Sequence, residues 1–310
     1  MTKNQTNSVK PKALRFAWGK ANRREAFSKQ MFQEDLHSGV LPYHLRRGEN
    51  EVVAVSGEVD ELHKVSVLCD SLGRGRSYSV ERSVEDAITE IALRISYYGV
   101  ALFERVGGWE NIPLTMYSFG SEHVWSGPGF LLQIVPRERW SYTKQKFAII
   151  PSNDVWRIRM PYQLGSPRKY RALLDTLSAW PELGPPFLQS DLDEGRFPRN
   201  FAIEDYRRLI RTHQYRATRE WGWATRDWSL DYVTEFYQLY RLLTFRWCQA
   251  LLGEHIVLEL NRLLVEYDIK ARIELRNVAT ADAILDVRDK LKIGKIGFSA
   301  INEVLGLKTR

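Results

Sequence analysis

One stretch limits what this chain can become: SLDYVTEFYQLYRLLTFRWCQALLGEHIVLELNRLLVEY, residues 229–267, holds no proline and repeats its apolar residues three or four apart. Val233, Phe236, Tyr240, Leu243, Trp247, Ala250, Ile256, Leu260, Leu263 and Tyr267 fall on one helical face. Ser229 is suited to cap the start, and Asp231 complements the positive end of the helix dipole. At about 1.5 Å per residue the rod would measure roughly 55 Å, beyond the usual globular helix. Gly253 marks a bend rather than an end. A single core has little use for so long a rod, so the pattern implies a spine against which neighbours pack.

The remainder reads as α+β. Residues 1–29 form a basic arm with eight Lys/Arg against one acid. Short β-prone runs follow (EVVAV, HKVSVL), and then SVEDAITEIALRISYYG, a helix with Ser83 at its cap. Its stripe is Val84, Ile88, Ile91, Ile95 and Tyr98, and Gly99 stops it. VALFERV, LTMYSF, GFLLQIV and KFAII are strand candidates joined too closely for parallel crossovers, which predicts an antiparallel sheet. Ser166 and Pro167 open a helix buried through Tyr170, Leu173, Leu174 and Leu177. Pro181, Gly184, Pro185 and Pro186 forbid its continuation. After the long helix come a short strand, ARIEL, and a helix from Thr280 to about Lys292, closed at Gly294. The segments are therefore 1–29, an α+β domain at 30–165, a helical segment at 166–228 with a loop at 181–200, and 229–310.

Charge is banded. Residues 30–136 carry eight bases against fifteen acids, whereas 137–172 carry nine against two. Such a chain can meet acidic partners on one surface and repel them on another. No apolar run is long enough to span a membrane, and the N-terminal residues lack the apolar core of a secretory signal. Two distant cysteines, Cys69 and Cys248, fit a reducing compartment, with cytoplasm as the default.

Catalytic patterns are sparse. The six histidines are scattered, with no zinc spacing, no GxSxG elbow and no phosphate-binding glycine fingerprint. Asp191, Asp193, Glu194 and Gly195 imitate part of a calcium loop but lack its distal glutamate, so with Arg196 they read as a polar loop tip. Residues 206–228 interleave arginines with aromatics: Arg207, Arg208, Arg211, Arg216, Arg219, Trp221, Trp223 and Arg226. That mixture can grip phosphates and stack on bases, or build a protein interface. Nearby acids offset the charge and favour the interface. Arg137 with Arg139, and Arg157 with Arg159, alternate as pairs on one face of a strand do.

Three stretches in order resemble bacteriophage portal proteins. ITEIALRISYYGVALFERV (88–106) is similar to the portal helix that ends in glycine and leads to a strand bearing a glutamate. NDVWRIRMPYQLGSPRKYRALLDTL (153–177) is similar to the strand that enters a Gly-Ser-Pro helix start. ELNRLLVEYDIKARIELRNVATADAILDVRDKLKIGKIGFSAINEVLGL (259–307) resembles the portal C-terminal region, with Gly297, Glu303, Gly306 and Leu307 at its end. The resemblance implies an antiparallel-sheet wing (30–165), stem helices (166–180 and 203–213), a clip loop (181–200) holding Asp191, Asp193, Glu194 and Arg196, and the long helix. It implies a homo-oligomeric ring, usually of twelve subunits, at a capsid vertex of the virion. Double-stranded DNA would pass through it, and capsid, tail-adaptor and packaging-motor proteins would attach. It implies no cofactor, no metal and no catalysis. The chain is short for the family, so clip and crown would be reduced. Two rivals stand beside it: a nucleic-acid-binding protein of a mobile element using 1–29 and 206–226, and a metal-dependent nuclease using Asp191, Asp193 and Glu194.

Overall fold

In the computed structural model of the 310-residue chain, residues 11–14, 27–41, 52–73, 79–107, 114–121, 123–137, 140–178, 203–224, 234–298 and 300–301 are described. In chain order they form α1 (Phe27–Ser38), β1 (Val53–Gly57), α2 (Val59–Leu72), α3 (Val80–Tyr98), β2 (Val100–Val106) and β3 (Thr115–Phe119). Next come β4 (Val124–Gly127), β5 (Phe130–Ile134), the short α4 (Trp140–Thr143), β6 (Phe147–Pro151), β7 (Val155–Arg159) and α5 (Pro167–Ser178). The chain continues through α6 (Ile203–Ala217), α7 (Glu235–Glu266), β8 (Ala271–Leu275) and α8 (Ala281–Lys292). Among the described residues every strand pairing is antiparallel, in the orders β1-β8, β3-β2-β7 and β4-β5-β6. The fold is α+β, as the short connections require.

Two compact units are built from interleaved stretches: Met1–Lys20, Glu49–Arg159 and His255–Arg276 make the first, and Ala21–Gly48, Met160–Glu254 and Asn277–Arg310 the second. The expected breaks at 29, 165 and 228 therefore do not map one to one onto them.

The first unit is layered. Helices α2 and α3 cover one face of β3-β2-β7, where Phe103 lies against Trp156 and under the Arg94 guanidinium. Val84, Ile88, Ile91 and Ile95 are fully buried along α3. Gly99 ends that helix at φ 71°, in the left-handed region where glycine is favoured. The cap is Ser79, whose hydroxyl accepts the Arg82 N–H; Ser83 lies inside the helix and donates to Asp70 Oδ1 at 2.7 Å. The HKVSVL run belongs to α2, not to a strand. Val65, Leu68, Cys69 and Leu72 are buried at helical spacing, a pattern longer than the six-residue window that looked β-prone. The other face of the sheet packs Leu102, Phe119 and Val155 against Leu131 and Ile150 of β4-β5-β6. On α7, Asn261 pairs with the β8 backbone, donating to the Ile273 carbonyl and accepting its N–H, both at 2.9 Å. Its amide thus supplies the hydrogen bonds a further strand would make.

The second unit is organised by aromatics. Phe32 of α1 meets Trp221 and Trp223 edge-on, with centroids 5.6 and 5.4 Å away, and also touches Tyr170 and Phe245. The opposite side of α7 buries Leu243 and Ala250 against Ala281, Ile284, Val287 and Leu291 at α8. The helix expected from Thr280 begins at Ala281, with Thr280 as its cap accepting the Ala283 N–H.

The long helix is real, continuous from Glu235 to Glu266 and about 48 Å long at 1.5 Å per residue. Its start at 229 lies outside the described residues, and Thr234 accepts the Tyr237 N–H at the described end. Gly253 is buried within it. Apolar side chains are buried on more than one side of its first half, so the chain itself covers this rod. Helix length alone therefore gives no reason for a neighbouring copy.

Candidate functional site

The arginine–aromatic segment divides by direction. On α6 and the turn after it, Arg208, Arg216 and Arg219 are exposed and Arg211 is half-buried. Ile210, Gln214 and Thr218 line the buried side. Trp221 and Trp223, expected as DNA-channel or interface residues, belong to the core. The Trp223 indole N–H donates to Asp35 Oδ2 at 2.9 Å, and the Cys248 thiol points at the Trp221 carbonyl. The side chain of Arg207 is not described, and Arg226 lies outside the described residues, as do Asp191, Asp193, Glu194 and Arg196.

The turn is held by Arg241 of α7, a buried cation. Its guanidinium donates to the Trp223 carbonyl, to Thr218 Oγ1 at 3.0 Å and to the Tyr215 carbonyl at 3.3 Å, and it lies 4.5 Å from the Tyr215 ring centroid. Gly222 makes this approach possible with φ 70°; a β-carbon there would sit 2.3 Å from the Arg241 carbonyl oxygen. Arg241 thus closes a structural network, leaving Arg208, which faces Asp205 at 4.0 Å, with Arg216 and Arg219 at the surface while Trp221 and Trp223 are in the core. Exposed arginines can contact phosphates, but these two tryptophans cannot stack on bases.

The basic pairs also resolve differently. Arg157 on β7 is partly buried and donates to Ser126 Oγ at 3.4 Å. Burial, and then the neighbouring Arg159, lower its pKa. Arg137 follows β5 instead of lying in a strand, and with Lys146 it flanks the Trp140 ring at 5.9 and 4.9 Å.

Sequence reasoning missed a site in the first unit. Glu104, buried in β2, accepts the backbone N–H of Lys12 at 2.9 Å and of Ala13 at 2.6 Å. Gln133 of β5 brackets Leu14, accepting its N–H and donating to its carbonyl, both at 2.8 Å. Lys12 Nζ reaches Asp154 at 3.0 Å. Part of the basic arm is thereby seated between the two sheets, with Ala13 in the core. The available signal was a lone acid and a lone amide, each on the buried face of an apolar strand, where a polar group needs a partner.

The remaining chemistry is spare. Among the described residues no three His, Cys, Asp or Glu are placed to hold a metal. Both cysteines are buried, and burial pushes the Cys69 thiol up to about 12. Among them, too, no helix is long and apolar enough to cross a membrane.

No family model matches this chain, and no curated protein matches it. Among solved structures, it is similar to a chain in the neck of an empty gene transfer agent particle computed with C6 symmetry, at TM-score 0.48 and 12% identity over 91% of this chain and 89% of that one. It is also similar to a chain in the virion of the native gene transfer agent particle, at TM-score 0.38 and 13% identity over the same shares. Both scores are too low to fix a shared fold or role.

Proposed function

We propose that this chain is a subunit of a phage-type portal ring, a structural conduit at a capsid vertex through which double-stranded DNA passes. Its partners on this reading are further copies of itself and the capsid, tail-adaptor and motor proteins, and its place is the virion. The reading rests on one observation. The first two stretches that resemble portals in sequence take, in order, the local structures that the resemblance implies, while Glu303, Gly306 and Leu307 of the third lie outside the described residues. Helix α3 stops at Gly99 and passes directly into β2 with Glu104. Strand β7 leads through Gly165, Ser166 and Pro167 into α5, where Ser166 Oγ accepts the Lys169 N–H at 3.2 Å. Helix α7 is followed by β8 and the capped α8. The exposed arginines of α6 are candidates for the channel or an interface.

Negatively stained electron microscopy of the purified chain tests this. Closed rings with a central hole are expected. A protein that stays monomeric at every concentration, in both low and high salt, refutes the proposal.

A further inference from the structure

The sheet β4-β5-β6 is two-faced. Leu131, Gln133, Ala148 and Ile150 point inward, while the alternate positions point out. On that outer face Trp125 is 66% exposed, Phe147 57% and Ile149 54%, with Phe130 and Ile134 also exposed. The register places Trp125 beside Leu132 and Leu132 beside Ile149, and sets Ile134 opposite Phe147, so the apolar residues are contiguous across three strands. At roughly 200 Å² for a large side chain, they leave on the order of 500 Å² uncovered, near the upper end for a lone soluble domain. The rim is cationic: Arg137, Lys144 and Lys146 are exposed, and none pairs with an acid among the described residues.

The opposite outer layer of the same unit has the complementary character. Val59 at the start of α2 is 82% exposed and Val265 near the end of α7 is 77% exposed. The two ends are tied together, because the Lys270 N–H donates to Glu61 Oε2 at 2.8 Å. Around them four acids, Glu58, Asp60, Glu61 and Asp268, stand against two lysines, Lys64 and Lys270, and Lys64 feels Glu61, Asp268 and Asp60 together, so the surface keeps an acidic excess. One layer is therefore apolar with a basic rim, and the other carries two exposed valines with an excess of acids. They are different surfaces of one unit, which is the condition for head-to-tail assembly.

We infer that the outer face of β4-β5-β6 is covered by a second copy of this chain, through the surface around Val59, Asp60 and Val265. This rests on the ring reading above and names the surfaces that join neighbouring subunits. The test joins Val59→Cys and Phe147→Cys in the otherwise intact chain, treats it with a short bis-maleimide and resolves the products on a denaturing gel. The two native thiols are buried and do not compete. A ladder of dimers, trimers and higher species is expected, and either single-cysteine variant gives none beyond dimer. In parallel, Ile149→Glu raises the concentration needed for assembly by at least about tenfold. Lys146→Glu weakens assembly, and Asp60→Lys in the same chain restores it. Wild-type rings with no ladder and no response to Ile149→Glu overturn this inference and leave the portal reading standing. A ladder without closed rings keeps the surfaces and sinks the portal reading. A monomer without cross-links overturns both.

Discussion

Replacing Glu104 by alanine removes the carboxylate that receives the Lys12 and Ala13 N–H groups, at 2.9 and 2.6 Å. Hydrogen bonds to a charged partner contribute about 1.5–3 kcal/mol each, so the pair holds roughly 3–6 kcal/mol. Ordering residues 11–14 opposes this at about 1–2 kcal/mol per residue. The seat is therefore closely balanced, and the Gln133 bonds at 2.8 Å and the burial of Ala13 decide it. Losing even the low end of that range, about 3 kcal/mol, lowers the docked population by about two decades. Once freed, the two amides find water, so global stability falls by less, about 1–3 kcal/mol. Native-state hydrogen exchange read by mass spectrometry or NMR should show the Lys12, Ala13 and Leu14 amides protected in the wild type. In Glu104→Ala they should exchange about 100-fold faster, while α3 is unchanged. Glu104→Gln should behave alike, because its NH2 would face an N–H donor. If the three wild-type amides exchange at the rate of an unstructured peptide, the clamp as reasoned does not exist.

Other outcomes are equally specific. Gly222→Ala should cost at least about 3 kcal/mol in urea unfolding, since it forces both a left-handed residue and a clash with the α7 backbone. The Cys69 thiol, raised to about 12, and the Cys248 thiol, raised by burial, should resist iodoacetamide at pH 8 until denaturant is added. The Glu61 carboxyl is held below its ordinary 4.5 by the Lys64 hydrogen bond and then by the Lys270 N–H. Its contribution is thus present above the unfolded value and lost as pH falls through the folded one. The stability gap between wild type and Glu61→Gln should narrow below pH 4.5, and a gap constant from pH 7 to pH 3 would refute the assignment.

Local grammar was legible. The short apolar runs VALFERV, LTMYSF, GFLLQIV and KFAII became β2, β3, β5 and β6, and the glycine after α3 set its boundary through backbone chemistry alone. What failed was direction and range. The β-branched residues of HKVSVL looked like a strand because the helical stripe Val65, Leu68, Cys69, Leu72 extends past that window. Trp221 and Trp223 lie among arginines in sequence, yet the turn at Gly222 swings them inward, and composition carries no such sign. The long helix was visible, but not that α8 and the Phe32 cluster cover it from two sides. The Glu104 clamp joins residues 92 and 91 positions apart, beyond any local pattern.

That separation sets an order of events during synthesis. Lys12 to Leu14 are translated early, yet their seat does not exist until β2 and then β5, which carries Gln133 some 119 positions later, have been made and paired. The arm is made before its seat and can be fastened only after it. Whatever its bases touch while waiting has first claim on them, and the finished sheets must win them back.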